Sequence, residues 1–295
     1  MDRIAKGCIL GILCIILTFS LSTAYGQGFF NFEASTEFLN RESDYYEMRD
    51  YGLIATSYFK KVDLGSHPWA EAAFMEHASS ISVPAGIIQV ENSDSEDGDG
   101  SVFGVDVTYI HPVQPIYANV SFFKTGVEFD TSNDEISMNQ YNLGIGMFVR
   151  NDLLVAFKYG YEKEEFKDQV LGVYKVKNNL YSVATKWVNE KANGTALNLE
   201  GSIGLDNYDN GVNDGSNTVL GVAADYYFNP RMSVGTGLSL NAGDDMSAEG
   251  NTFEIRSAIF FNPRFSVRAA FEQFFADNDN GEDEQTISFN LSTRF

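Results

Sequence analysis

The chain of 295 residues holds three histidines, and one of them has neighbours that could do chemistry. His67 and His111 each precede a proline, where turns are expected. His77 instead has Glu71 before it and Ser79 and Ser80 after it. A hydrolytic Ser-His-acid relay needs a hydroxyl bonded to the imidazole and a carboxylate holding the far ring nitrogen. The spacing allows one, although a polar residue at a strand end is the plainer account. SEDGDG (95–100) and DNDNGEDE (277–284) are dense in carboxylates, but neither has the ligand spacing and closing Glu of a calcium-binding EF-hand loop. VGTGLSL (234–240) lacks the third glycine of a dinucleotide fingerprint. No metal site and no cofactor are expected.

A wider set of charged residues is defined by position rather than by motif. Glu33, Glu37, Glu71, Asp106, Glu200, Asp206, Asp225, Glu254 and Glu272 fall on the polar side of alternating segments, with Lys158, Lys186, Arg256, Arg268 and Arg294 as the bases. Alternation with a period of two is the mark of a strand with one apolar face. Phe30, Phe32, Ala34, Thr36 and Phe38 oppose Asn31, Glu33, Ser35 and Glu37; Tyr141, Leu143, Ile145, Met147 and Val149 oppose Asn142, Gly144 and Gly146. About fourteen such segments follow one another, each near the ~9 to 11 residues that a tilted strand needs to cross a bilayer.

The connections have a pattern of their own. YYFNPR (226–231) and IFFNPR (259–264) repeat one turn signal, in which Asn bonds its own backbone and Pro fixes φ. GSHPW (65–69) and HPVQP (111–115) read as further short turns, and acidic links such as DTSNDE (130–135) and NAGDDMSAEG (241–250) lie between. Short turns at one end and hydrophilic loops at the other predict an all-β, transmembrane antiparallel β-barrel, because strands satisfy their backbone in lipid only when the sheet closes. Closure places Glu33 and Glu37 of the first strand beside the last, which carries Arg294. One connection reads two ways. SSISVPAGIIQV (79–90) either folds against the barrel rim and narrows the lumen or extends the third strand.

Residues 1–26 are expected to be a cleaved signal peptide, with Arg3 and Lys6 ahead of a short apolar run and small residues at its end, leaving 27–295 as the barrel. Cys8 and Cys14 both lie in that leader, so the rest has no thiol chemistry. A formal charge of −21 argues against nucleic-acid binding.

Two segments carry a resemblance. The last strand, TISFNLSTRF, ends on Phe295 and resembles the C-terminal signature of Gram-negative outer-membrane barrels. WAEAAFMEHASS (69–80), taken with the YYFNP turn, resembles the general porin family of those bacteria, with Met75 and His77 as departures from its pattern. The resemblance implies the outer membrane as location and Phe295 as an assembly signal. It also implies membrane lipids and lipopolysaccharide, the barrel-assembly machinery and periplasmic chaperones as partners. About fourteen strands enclose more room than side chains fill, so a water-filled, acid-lined, cation-preferring channel for small hydrophilic solutes is the leading expectation. A structural or surface-interaction barrel with an occluded lumen is the alternative, and a barrel enzyme centred on His77 is a third.

Overall fold

The computed structural model describes residues 28–92, 97–129, 134–168, 172–211, 214–243, 250–276 and 283–295. The expected leader and much of the acidic links, with any calcium ligands there, lie outside the described residues. Fourteen strands run β1 (Phe29–Glu42), β2 (Tyr46–Asp63), β3 (Ser80–Asn92), β4 (Gly98–Ile110), β5 (Ile116–Phe129), β6 (Glu135–Arg150) and β7 (Leu153–Asp168). They continue as β8 (Gly172–Glu190), β9 (Ala196–Asp209), β10 (Asp214–Asn229), β11 (Met232–Gly243), β12 (Gly250–Asn262), β13 (Phe265–Ala276) and β14 (Glu284–Arg294). Every neighbour is antiparallel, and β1 pairs with β14 to close the barrel. No described helix is long and apolar enough to cross a membrane.

The register carries one side-chain parity around the whole circumference. Glu33 pairs with Thr56, Thr56 with Ser82, Ser82 with Asp106, Asp106 with Ser121, and Ser121 with Asn142. Directly paired residues share a face, so this row lines the lumen. The opposite parity is the outer wall: on β6 alone Tyr141, Leu143, Ile145, Met147 and Val149 are each about half exposed. An apolar exterior around a polar interior is the arrangement a bilayer selects. Strands of 11 to 19 residues match or exceed the ~9 to 11 that a crossing needs, so the longer strands extend the barrel beyond a hydrocarbon layer.

Much of the acidic sequence continues the hairpins as strand. β9 runs to Asp209 and β10 begins at Asp214, leaving a short tip. The 79–90 segment likewise resolves to strand: Ser80–Asn92 is β3, so its apolar residues do not constrict the lumen. Pro84 lacks an N–H, and the β3–β4 ladder skips Val83 and Pro84 accordingly.

The NPR turns form as the residues dictate. Asn229 Oδ1 accepts the Arg231 N–H at 2.8 Å, and Asn262 Oδ1 accepts those of Arg264 at 2.8 Å and Phe265 at 3.0 Å. These turns share one end of the barrel with the C-terminus and the start of β1, the end expected to face the periplasm and called the periplasmic end on that expectation.

Candidate functional site: a link across one mouth of the barrel

The GSHPW segment, expected as a short turn, is instead the start of a long link. Residues 64–79 leave β2, cross the periplasmic mouth and return at β3, with Ala72–Met75 forming a single helical turn, α1. AEAAF, which alternating strands on either side could have continued, lies in this link and forms no strand. Ala, Glu and Met favour helix, and the absence of alternation after Pro68 removes the reason to pair.

The link touches the wall around most of its circumference. Trp69 N–H donates to the Pro230 carbonyl in the β10–β11 turn at 2.8 Å, and its ring meets Phe260 of β12 edge-on at 5.8 Å. Arg231 lies over the Trp69 ring at 4.8 Å. Phe30, Val62, Leu64, Trp69, Ala72, Ala78, Ala258 and Phe260 make one buried cluster, a small core between the link and the inner wall. On the far side Phe74 packs on Phe148 at 5.4 Å, and His77 stacks on the same ring at 4.0 Å. His67 Nδ1 is 2.6 Å from Glu190 of β8. We call this link the plug.

Charge anchors its centre. Glu71 is 8% exposed, and its carboxylate receives Lys186 Nζ at 2.8 Å and the Tyr227 hydroxyl at 2.8 Å. Lys186 also reaches Glu200 at 2.9 Å. Beside them Arg256 grips Asp225 with two bonds of 2.8 Å, and Asn198 donates to Asp225 at 2.9 Å and Glu200 at 3.0 Å. Arg294, 3% exposed, donates to Glu33 at 2.6 Å and to the Trp69 carbonyl at 2.8 Å, with its guanidinium over the Phe30 and Phe260 rings. Such burial is tolerated because each charge keeps a partner and a second hydrogen bond.

The charged residues expected inside thus share the lumenal face, and they divide into two groups. Glu33, Glu71, Lys186, Glu200, Asp225, Arg256 and Arg294 gather at the plug as ion pairs. Glu37, Lys158, Arg268 and Glu272 face the cavities above it. Asp106 lies on the opposite wall, held by Asn119 at 2.9 Å. Asp206 and Glu254 keep the same parity, and Glu254 adds a contact to Arg256 at 3.2 Å.

Two glycines that carry no fingerprint explain themselves here. A Cβ on Gly235 would sit 2.0 Å from Asp225 Oδ1, and one on Gly237 would sit 3.0 Å from Glu254 Oε2. VGTGL is thus a strand made thin on its inner face to admit the neighbouring carboxylates.

The relay proposed around His77 does not assemble. His77 Nε2 contacts the Asn151 carbonyl at 2.8 Å, Ser79 Oγ exchanges hydrogen bonds with the backbone of Ile110, and Glu71 points to Lys186. His77 also lies at the periplasmic end rather than at an outward-opening site, because the plug carries it there. Among the described residues no cluster of His, Cys, Asp and Glu is arranged for a metal ion.

The chain is similar in structure to the Acinetobacter baumannii outer membrane protein Omp33, with a TM-score of 0.61 and 22% identity over 92% of this chain and 100% of that one. The fold is that of an outer-membrane β-barrel. CdiB from Acinetobacter baumannii gives 0.54 with 7% identity, over 89% of this chain and 60% of that one. CymD, a monoaromatic hydrocarbon channel, gives 0.50 with 10% identity, over 92% and 89%. At these identities the likeness concerns the fold. No protein-family model and no curated protein matches the sequence, so the likeness to general porins rests on the 69–80 motif.

Proposed function

We infer that the protein is an outer-membrane channel for small hydrophilic solutes whose periplasmic mouth is closed by the plug and opens when the plug shifts. The observation that carries this reading is the contrast between the two parts of the lumen. Above the plug, cavities of about 490 and 380 Å³ are walled by Lys158, Glu272, Arg268 and other polar residues, a surface suited to water. At the plug, the closure is one short link held by a small apolar cluster and a few ion pairs, with the barrel ladder independent of it. A segment attached in that way can move without unfolding the strands.

The lumen also favours cations. Glu37, Asp106 and Glu272 stand outside the ion pairs that neutralise the bases at the plug, against Lys158 and Arg268 on the same wall, and this acid excess concentrates positive solutes at low ionic strength. Phe295, as in the barrels whose terminus it resembles, serves as the assembly signal. Replacing residues 65–78 by a short Gly-containing turn tests the whole reading in proteoliposomes. Faster sugar and amino-acid entry than with the intact chain, with a cation-selective reversal potential that fades with salt, is expected. Equal, slow entry by both proteins would contradict a channel closed by the plug, and an anion-selective potential would contradict the assignment of the wall.

A further inference from the structure

Arg268 stands apart from the other bases of the lumen floor. Lys186, Arg256 and Arg294 each hold a carboxylate within 2.8 Å, and Arg268 belongs to none of these pairs. Its Nε is shut away from solvent with no hydrogen-bond partner among the described residues. An Nε–H left in that condition lacks an acceptor, and the terminal nitrogens of the same guanidinium, on the wall of the cavity, form no ion pair among the described residues, although their planar fork suits a carboxylate. Two strands away Glu37 presents the opposite charge. Arg268 pairs in register with Asn290, and Asn290 with Glu37, so the three form one row across β13, β14 and β1. Both charged groups line the same cavity of about 380 Å³, with Ser288 and Asn290 on its wall and Ala70 and Glu71 of the plug as its floor. Opposite charges that share a cavity and do not meet leave a gap with a dipole across it.

We propose that this cavity is a binding site for the zwitterion of a small α-amino acid, its carboxylate on Arg268 and its ammonium on Glu37. The site deepens the channel reading, on which it rests for its supply of solute. A solute with only a carboxylate meets Glu37 uncompensated and is repelled by it, since Lys186 and Arg256 on the same cavity already face Glu71, Asp225 and Glu254. A solute with only an ammonium leaves Arg268 without an acceptor. A dipolar solute satisfies both groups and brings no net charge into an acidic lumen. The cavity lies within the range that takes small molecules, and a polar wall with a few placed charges supplies orientation.

The test uses the full barrel, recovered folded and checked for heat-modifiable mobility, in buffer of low ionic strength. Binding of L-serine, lactate and ethanolamine is compared by saturation-transfer NMR. Serine should bind at least tenfold more tightly than either single-charge analogue. Arg268→Gln and Glu37→Gln should each weaken serine at least tenfold, and Arg268→Lys should restore part of the loss. Serine binding unchanged in Arg268→Gln, lactate binding as tightly as serine, or no saturable serine binding to the unaltered protein would each overturn the site. Conductance recorded on the same preparations separates the two readings. A conducting protein that binds no serine loses the site and keeps the channel, whereas saturable, Arg268-dependent serine binding by a protein that conducts in neither intact nor plug-replaced form keeps the site and loses the channel.

Discussion

Arg294 was marked as lumenal by its place in an alternating strand, and barrel closure was enough to set it beside Glu33, 261 residues away in sequence. What alternation could not give is its second bond, to the Trp69 carbonyl, because that depends on a link with no period. The pairing makes a sharp expectation at the residue scale. Arg294→Met leaves the part-buried Glu33 without its cation and should destabilise the barrel by up to about 3 kcal/mol in urea unfolding from lipid, because one side of a largely buried pair is broken. Adding Glu33→Gln to that variant should recover a large part of the loss; no recovery would mean that the rings under Arg294, and not the charge, account for it. Asp152, in the β6–β7 turn, supplies a pH dependence. Burial would raise its carboxyl, but hydrogen bonds from Arg150 and Trp187 override this and hold it below the ordinary carboxylate value. A depressed folded value contributes stability at neutral pH that is lost as the pH falls below about 4 and through the folded value. Trp187 emission, read with Trp69→Phe, should therefore change in that acid range, and Asp152→Asn should flatten the change.

The strands were legible at the scale of elements because two constraints agree: every outward position meets lipid and every inward one meets water, so alternation is enforced along the chain. The plug escaped because its residues answer to neither. Ala70, Ala72 and Ala73 face a private cluster and Glu71 faces Lys186, and the sequence between Pro68 and Ser79 therefore reads as neither strand nor loop. Its helix-favouring composition was the available signal. β3 was legible only in part, since Pro84 argues against a strand until one sees that the ladder simply omits it. The terminal strand carries a prediction of its own. Phe295 exchanges backbone hydrogen bonds with Phe32 at 2.8 and 3.2 Å, receives the Asn31 N–H at 2.8 Å, and packs its ring 5.9 Å from Phe32. Deleting Phe295 removes the seam's last rungs together with the assembly signal proposed for it. Heat-modifiable barrel recovered from the outer membrane should fall severalfold, and normal yield would show that neither contribution matters.

For the whole molecule, the formal charge of −21 is arranged so that Lys186, Arg256 and Arg294 are consumed by ion pairs at the plug, while Arg268 and Lys158 stay with the acids that line the cavities above. The composition announced the sign of this field but not its division, which follows from where a single link crosses the barrel. On the proposed channel reading, that division puts the control of passage at the periplasmic mouth, where Trp69 and Glu71 tie the plug to β8, β10 and β12. The most direct measurement is single-channel conductance in a planar bilayer, comparing the intact protein with the Trp69→Ala/Glu71→Gln variant, which loosens the plug and leaves Lys186 paired with Glu200. The intact protein should be closed for most of the record with brief openings, and the variant should show sustained open steps. A variant as silent as the intact protein, or an intact protein already open throughout, would contradict a channel closed by this segment.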